Sequence, residues 1–415
     1  MRKLKRLLLI GSPIALFLAT ACHKNDMPPL TTGTTSTTGT TTTTDSLAQT
    51  YYTTIDSLGT PAPGIILACP IITTLLPIID SPGVLLIMNQ DGQILKKKST
   101  AGQAYNFQRW IINGQIRYTY VVNNPNAYRT GDVDDPAGYY VIADSSLNTL
   151  QQVNFTAYAG DTAAVSGQAL DVHDFVLISD NDYIIESYVI KNVGNIPSYV
   201  PHYPNEAVVA PLIEEIQNGS VVWYWDAAAD TSFYANAATG NVYTDSAAAQ
   251  DYVHLNSMYI DPRDNNLIIS MRNQCQIRKL NRQTGATMWK LGGKNSDFTL
   301  DSAEVFLYQH HATLVDSNKT LLIFDDGDPT LRPYSRVLEF QLDETDKLVT
   351  GFKSFTIPEP FTDVMGSVQK IGNDYFIGGG SGNYILDVNY TTGQKVVEMI
   401  SNQYATYRAF KYLTP

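Results

Sequence analysis

The sequence predicts an all-β fold, a six-bladed β-propeller of four-stranded antiparallel blades whose last blade is closed by strands from the N- and C-terminal ends of the domain. Three observations predict it. From about residue 82 the chain alternates short apolar or period-two runs with Asp-Gly, Asn-Gly and Thr-Gly pairs, the punctuation of β-hairpins. Helical periodicity is nearly absent. The runs also recur as two kinds of hairpin at blade-like spacing, the mark of a radial repeat. Composition agrees: the 415 residues include 26 Tyr and 14 Phe, which favour strands, and 44% hydrophobic residues suffice for a sizeable core.

The first 81 residues fall into three expected segments. Arg2, Lys3, Lys5 and Arg6 precede an apolar run over 7–18, then the small residues Ala19-Thr20-Ala21 lead into Cys22. Residues 1–21 therefore read as a secretory signal, too short to span a bilayer. Small residues directly before a cysteine make it a lipoprotein signal, so that Cys22 would carry the lipid. The lipid would anchor the chain to a bacterial envelope membrane, on its periplasmic face or at the cell surface. Residues 22–50 read as a stalk, because positions 31–44 are Thr apart from two Gly and one Ser and cannot bury enough apolar area to offset chain entropy. Residues 51–81 are expected as an N-terminal extension packed on the propeller, and 82–415 as the propeller itself. Beyond Cys22, Cys69 and Cys275 lie far apart, with neither disulfide-framework nor metal spacing. A net charge of −12 argues against a nucleic-acid-binding face.

Within the propeller, five inner hairpins can be aligned: 107–120 around Asn113-Gly114, 174–186, 256–270, 311–324 and 366–377. Four outer hairpins follow inner ones: 212–225 around Asn218-Gly219, 276–290 around Thr284-Gly285, 337–355, and 384–399 around Thr392-Gly393. An inner and an outer hairpin make one four-stranded blade. The run 83–96 around Asp91-Gly92 and the terminal run 407–412 would complete a sixth. Long, unassigned connections over 120–173 and 187–211 leave seven blades as the nearest alternative.

In an antiparallel hairpin the start of the first strand and the end of the second share one end of the blade. His173, His254, His310 with His311, and Met365 all fall within one residue of the equivalent start. The second-strand ends bring Glu186, Arg272, and Asp325, Asp326 and Asp328 with Arg332 to the same mouth of the channel. For any single histidine there, satisfying backbone groups is a sufficient account; three facing one another beside arginines point to a site. Imidazoles and guanidiniums around one opening, without a carboxylate pair or a cysteine nucleophile, suit transfer of an anionic sulfuryl or phosphoryl group. A neutral imidazole attacks while arginine forks neutralise the transferred oxygens. The same histidines could instead hold zinc or copper, with an Asp as extra ligand.

Several ordered motifs resemble the bacterial arylsulfotransferase family: Asp251-Tyr-Val-His254-Leu-Asn256-Ser-Met, Leu-Ile-Ile-Ser-Met-Arg272, Trp289-Lys-Leu-Gly-Gly-Lys, Gln309-His310-His311-Ala, Phe324-Asp-Asp-Gly-Asp328 and Tyr334-Ser-Arg336-Val. The similarity runs with gaps from about residue 82 to the C-terminus and is most specific over 254–336. The resemblance implies a divergent lipoprotein member, an envelope enzyme moving a sulfuryl group from a phenolic sulfate to another phenol through a sulfated histidine. It implies no nucleotide donor, other cofactor or metal, and as partners small aryl sulfates and phenols together with the membrane. His254, His310, Arg272 and Arg332 are the implied catalytic residues; His173, His311, Asn256 and Arg336 are the implied substrate contacts.

The chain departs from the family pattern twice. Pro329-Thr330-Leu331 separates the Asp-Gly-Asp turn from Arg332, which displaces that arginine. In the family the sulfated histidine lies in the C-terminal third, whereas no histidine follows His311 here. Either His254 or His310 takes the nucleophile's role, or the protein is a catalytically inactive, membrane-tethered ligand-binding propeller.

Overall fold

The computed structural model describes residues 51–72, 81–124, 137–156, 158 and 169–413; the expected signal and the whole expected stalk, Cys22 included, lie outside them. The described residues form six antiparallel sheets arranged as a ring, the expected six-bladed propeller. Blade 1 closes the ring, with Tyr404–Tyr412 as its inner strand beside Ile65–Ile72, Gly83–Asn89 and Ile94–Thr100. Blade 2 runs through Ala104–Ile112, Gln115–Asn123, Ala137–Ala143 and Thr149–Val153, and blade 3 through Phe175–Ser179, Asp182–Val193, Glu206–Gln217 and Ser220–Asp226. Blade 4 holds Leu255–Asp261, Asn266–Met271, Gln276–Leu280 and Thr287–Gly292; blade 5 holds His310–Val315, Thr320–Asp325, Arg336–Asp343 and Leu348–Thr356. Blade 6 is Ser367–Ile371, Asp374–Gly378, Tyr384–Asn389 and Lys395–Ile400.

Both ends of the domain close the ring, but the N-terminal share begins earlier than the sequence reading places it. Ile65–Ile72, expected in the extension over 51–81, is the strand that pairs with Tyr404–Tyr412. Its near-continuous apolar run is buried along almost its whole length, and Pro70 sits where the register shifts, at a bulge that spares its missing N–H. Thr54–Ser57 adds a fifth strand to the outer edge of blade 6 through Lys395–Ile400. The unassigned connection over 187–211 is explained by two long strands, Asp182–Val193 and Glu206–Gln217, paired along their full length.

Core side chains lock one blade to the next. Between blades 3 and 4, Ile184, Ile213 and Trp225 share a buried cluster with Leu255, Leu267 and Ile269; each such side chain contributes about 1.5–3 kcal/mol on burial. Blades 4 and 5 are joined by a buried lysine, Lys279, whose Nζ lies 2.7 Å from Asp261 and Asp264 and 2.9 Å from Glu344. The inner strands of blades 2, 4 and 5 each carry a register shift near their start, between Tyr105 and Gln108, Leu255 and Ser257, and His310 and Thr313. A bulge re-aims the side chains on either side of it, and these bulges lie at the expected site.

Candidate active site

Three of the aligned histidines meet at one mouth of the channel, and each has an aspartate on its Nδ1. Asp171, in the short strand Leu170–Asp171 that pairs with blade 2, places Oδ1 2.5 Å from Nδ1 of His173. Asp251 Oδ2 lies 2.6 Å from Nδ1 of His254. Asp326 Oδ2 approaches Nδ1 of His310 to 2.8 Å, without hydrogen-bond alignment. The rings of His173 and His254 pack edge-on, centroids 4.9 Å apart, and Tyr188 and Tyr407 flank them. An Nδ1–H facing a carboxylate leaves the Nε2 lone pair as the reactive position of a neutral imidazole.

Local structure holds each group in place. His254 ends a loop anchored by buried aromatics, among them Tyr234 and Tyr252 stacked at 4.8 Å. Its φ of 50° is left-handed, a conformation that costs a non-glycine residue about 1–2 kcal/mol and that the packed surroundings impose. Asn273, in the turn Arg272–Gln274, donates to both the backbone and the carboxylate of Asp251. His310 accepts the Met365 N–H at Nε2, 3.2 Å away, so its proton sits on Nδ1 toward Asp326. Burial pushes the His310 imidazole well below its ordinary range, assisted by Arg272, His173 and His254. Burial pushes the Asp326 carboxyl well above the usual carboxylate range. Each shift favours the uncharged form of its group.

The three expected arginines differ. Arg332 is held by Asp325 at 2.5 Å and by the Tyr334 carbonyl at 3.1 Å. Arg336 binds the other Asp325 oxygen through Nε and Nη2, and its remaining donors go to the carbonyls of Ala303 and Val305. Its fork is committed to the fold. Arg272 alone makes no ion pair among the described residues. Its guanidinium lies 4.8 Å from the Tyr308 ring centroid, donates to Asn273 and to the Asp363 carbonyl, and keeps a buried Nε without a partner.

Two expected contacts lie elsewhere. His311, with φ 44°, sits inside the bulge that follows His310; its ring packs edge-on against Phe410 at 5.5 Å and its Nδ1 accepts the Val368 N–H. It lines a cavity farther along the axis, not the mouth. Asn256 is wholly buried, donating to the Gln309 carbonyl while its own carbonyl accepts from Arg408 at 2.6 Å. Arg408, from the closing strand, also reaches Asp174 at 3.1 Å and Asn106 at 3.3 Å. The polar belt formed by these residues crosses the channel below the imidazoles.

The sequence reading brought Asp326 to this mouth and Asp251 into the His254 motif, but missed Asp171 and the backing of each imidazole by an aspartate. Two of the three aspartates stand in plain spacing, Asp171 two residues before His173 and Asp251 three before His254; Asp326 arrives from the end of the paired strand. Among the described residues, the group with metal-ligand spacing is Asp171, His173 and Glu186, whose donor atoms lie within 4.8 Å of one another, and not the three histidines.

The family model for arylsulfotransferase (ASST) matches residues 112–410. No curated protein matches the sequence. Among solved structures, a protein of unknown function from Bacteroides caccae aligns with TM-score 0.45 and 9% identity, covering 84% of this chain and 99% of that one. Apo AztD from Citrobacter koseri aligns with TM-score 0.38 and 10% identity, over 85% of this chain and 99% of its own. The β-propeller domain of Cps50 (Swd1) from Myceliophteria thermophila gives TM-score 0.43 and 9% identity, over 85% and 90%.

Proposed function

Because this chain belongs to the arylsulfotransferase family, we propose that it transfers a sulfuryl group between phenolic compounds, with His254 at the channel mouth as the nucleophile. The observation that carries the reading is the Arg272 guanidinium, without an ion pair among the described residues, beside three imidazoles that each have an aspartate on Nδ1. A cation with no carboxylate of its own is a ready partner for a sulfate. His254 is the more accessible of the two candidate nucleophiles: its side chain is 13% exposed against 2% for His310.

In the first half-reaction His254 Nε2 forms a bond to sulfur as the S–O(aryl) bond breaks, and the phenolate leaves with the electron pair. Arg272 faces the sulfuryl oxygens. In the second half an acceptor phenol attacks sulfur and the N–S bond breaks, restoring the neutral imidazole. His173, edge-on to His254 with Asp171 on its Nδ1, is placed to take the phenol proton at Nε2. The lipid anchor at Cys22 and the envelope location belong to the same proposal, since a secreted, tethered enzyme would use small phenolic donors in place of a nucleotide.

The test is incubation of the purified chain with 4-nitrophenyl sulfate and a phenol acceptor. Nitrophenol release with ping-pong kinetics and a sulfuryl mass adduct on the His254 peptide are expected; absence of both overturns the reading. The second reading, an inactive ligand-binding propeller, is favoured by the lack of any histidine after His311. It predicts thermal stabilisation by aryl sulfates without turnover.

A further inference from the structure

Beyond the polar belt the channel opens into a cavity of about 660 Å³, lined by the innermost strands of all six blades. That volume lies in the ~300–1,000 Å³ range of small-molecule sites. Its wall is largely apolar, with Trp110, Met258, Leu314 and Phe410 among the lining side chains. Its charges run opposite to those of the chain as a whole: the net charge is −12, yet the lining carries four cationic side chains and one carboxylate, Asp174.

Three of those cations are already matched. Arg282 pairs with Glu215, Lys370 with Asp316 and Glu339, and Arg408 with Asp174. Arg109 makes no ion pair among the described residues. Its guanidinium lies 5.7 Å from the Tyr412 ring centroid, and its Nε is buried without a hydrogen-bond partner. At the inner end the Nε of Arg408, a side chain 1% exposed, is likewise unpartnered. The Arg109 guanidinium lines the cavity with no carboxylate of its own, and an anionic group on a ligand would supply one.

We propose that this cavity is a second ligand site, taking an aromatic monocarboxylate with its acid group at Arg109 and its ring between Met258, Leu314 and Phe410. The site is separate from the sulfuryl-transfer mouth and does not depend on that reading: a carboxylate offers no sulfuryl group, and the Asp174–Arg408 belt lies between the two.

The test is calorimetric titration of the purified full-length chain with 1-naphthoate, with quenching of Trp110 fluorescence as a second readout. One saturable site is expected, with 1-naphthalenemethanol, its uncharged counterpart, binding at least about tenfold more weakly. Arg109→Gln should weaken naphthoate binding by about tenfold or more. Leu314→Trp, which fills the cavity without touching a charge, should abolish it and decides the matter if Arg109→Gln fails to fold. His254→Gln should leave it unchanged. No binding to the unmodified chain, equal affinity after Arg109→Gln in a folded protein, full binding by Leu314→Trp, or loss of binding in His254→Gln would each overturn the proposal.

Discussion

The far cavity is walled by the inner strands of all six blades, whereas the mouth is set by the starts of three of them and the loops beside them, and the chemistry of the two ends is opposite. At the mouth every imidazole has an aspartate on Nδ1, and the groups are held by strand pairing, bulges and backbone amides. At the far end apolar side chains face one another across a cavity whose cations outnumber its carboxylates. His310 and His311 put the contrast in two consecutive residues. One looks to Asp326 and the Met365 amide at the mouth, the other packs on Phe410 at the cavity wall. Strand starts leave backbone and bulge positions to be satisfied by polar side chains, whereas the strand interiors converge on the axis and exclude water. In the strand that carries His310 and His311, position along the chain decides which chemistry appears.

The largest expected effect comes from removing what divides the two ends. Arg408→Ala leaves Asp174 and Glu186 buried without their shared cation, which should cost about 3–5 kcal/mol in urea unfolding and impair both ends together. Wild-type stability in this variant would show that the belt is not the divider. Next, His254→Gln should lower turnover by at least about 10²–10⁴-fold while leaving the thermal midpoint and the far cavity untouched. Asp251→Asn should lower kcat with little change in KM, because the imidazole loses the carboxylate that sets its tautomer. An unchanged kcat for either variant would remove the aspartate-backed imidazole from the chemistry.

The smallest effect is a pH dependence that both ends share. Burial, then Arg272 and the neighbouring imidazoles, hold His310 well below its ordinary range; burial and then Arg408 do the same to His311. Below about pH 6.5 the unfolded chain therefore binds more protons than the folded one, so stability is full above that pH and falls as the medium is acidified. The loss approaches ~1.4 kcal/mol per pH unit for each histidine. Asp326, pushed up by burial, acts in the other direction: its contribution is present below about pH 4 and is lost as pH rises through its raised value. Between pH 7.5 and 5.5 the denaturant midpoint of the natural chain should shift further in the falling direction than that of His311→Gln, because the raised carboxyls Asp326 and Glu186 oppose the histidines equally in both. An identical slope in both would mean that His311 is not the buried neutral group described.

Much of the fold is legible because turn chemistry and strand period are local. All five inner hairpins and four outer ones can be read from Asn-Gly, Thr-Gly and Asp/Asn clusters between period-two runs, and closure by both ends follows from an unpaired run at each. Ile65–Ile72 is less legible, since an apolar run with a proline lacks the alternation that marks a strand. Thr54–Ser57 gives no signal at all: four mostly exposed residues become a strand because blade 6 offers an edge. In the site, the register of His173, His254 and His310 is visible, as is Arg272. The motif that includes Arg336 does not reveal that all three nitrogens of its fork are engaged by Asp325 and two carbonyls.

The sequence by itself determined that this chain is a ring of antiparallel blades, that its ends meet, and that imidazoles share one register, because hairpins and alternation depend on neighbours a few residues apart. Tertiary structure alone decided which histidine faces the mouth and which the cavity, which arginine lacks a carboxylate, and that Arg408 should cross the axis to Asp174. Those outcomes depend on bulges that turn a side chain about its strand and on partners up to several hundred residues away. No local pattern encodes them, since the energy of a buried charge is set by whatever the other blades bring beside it.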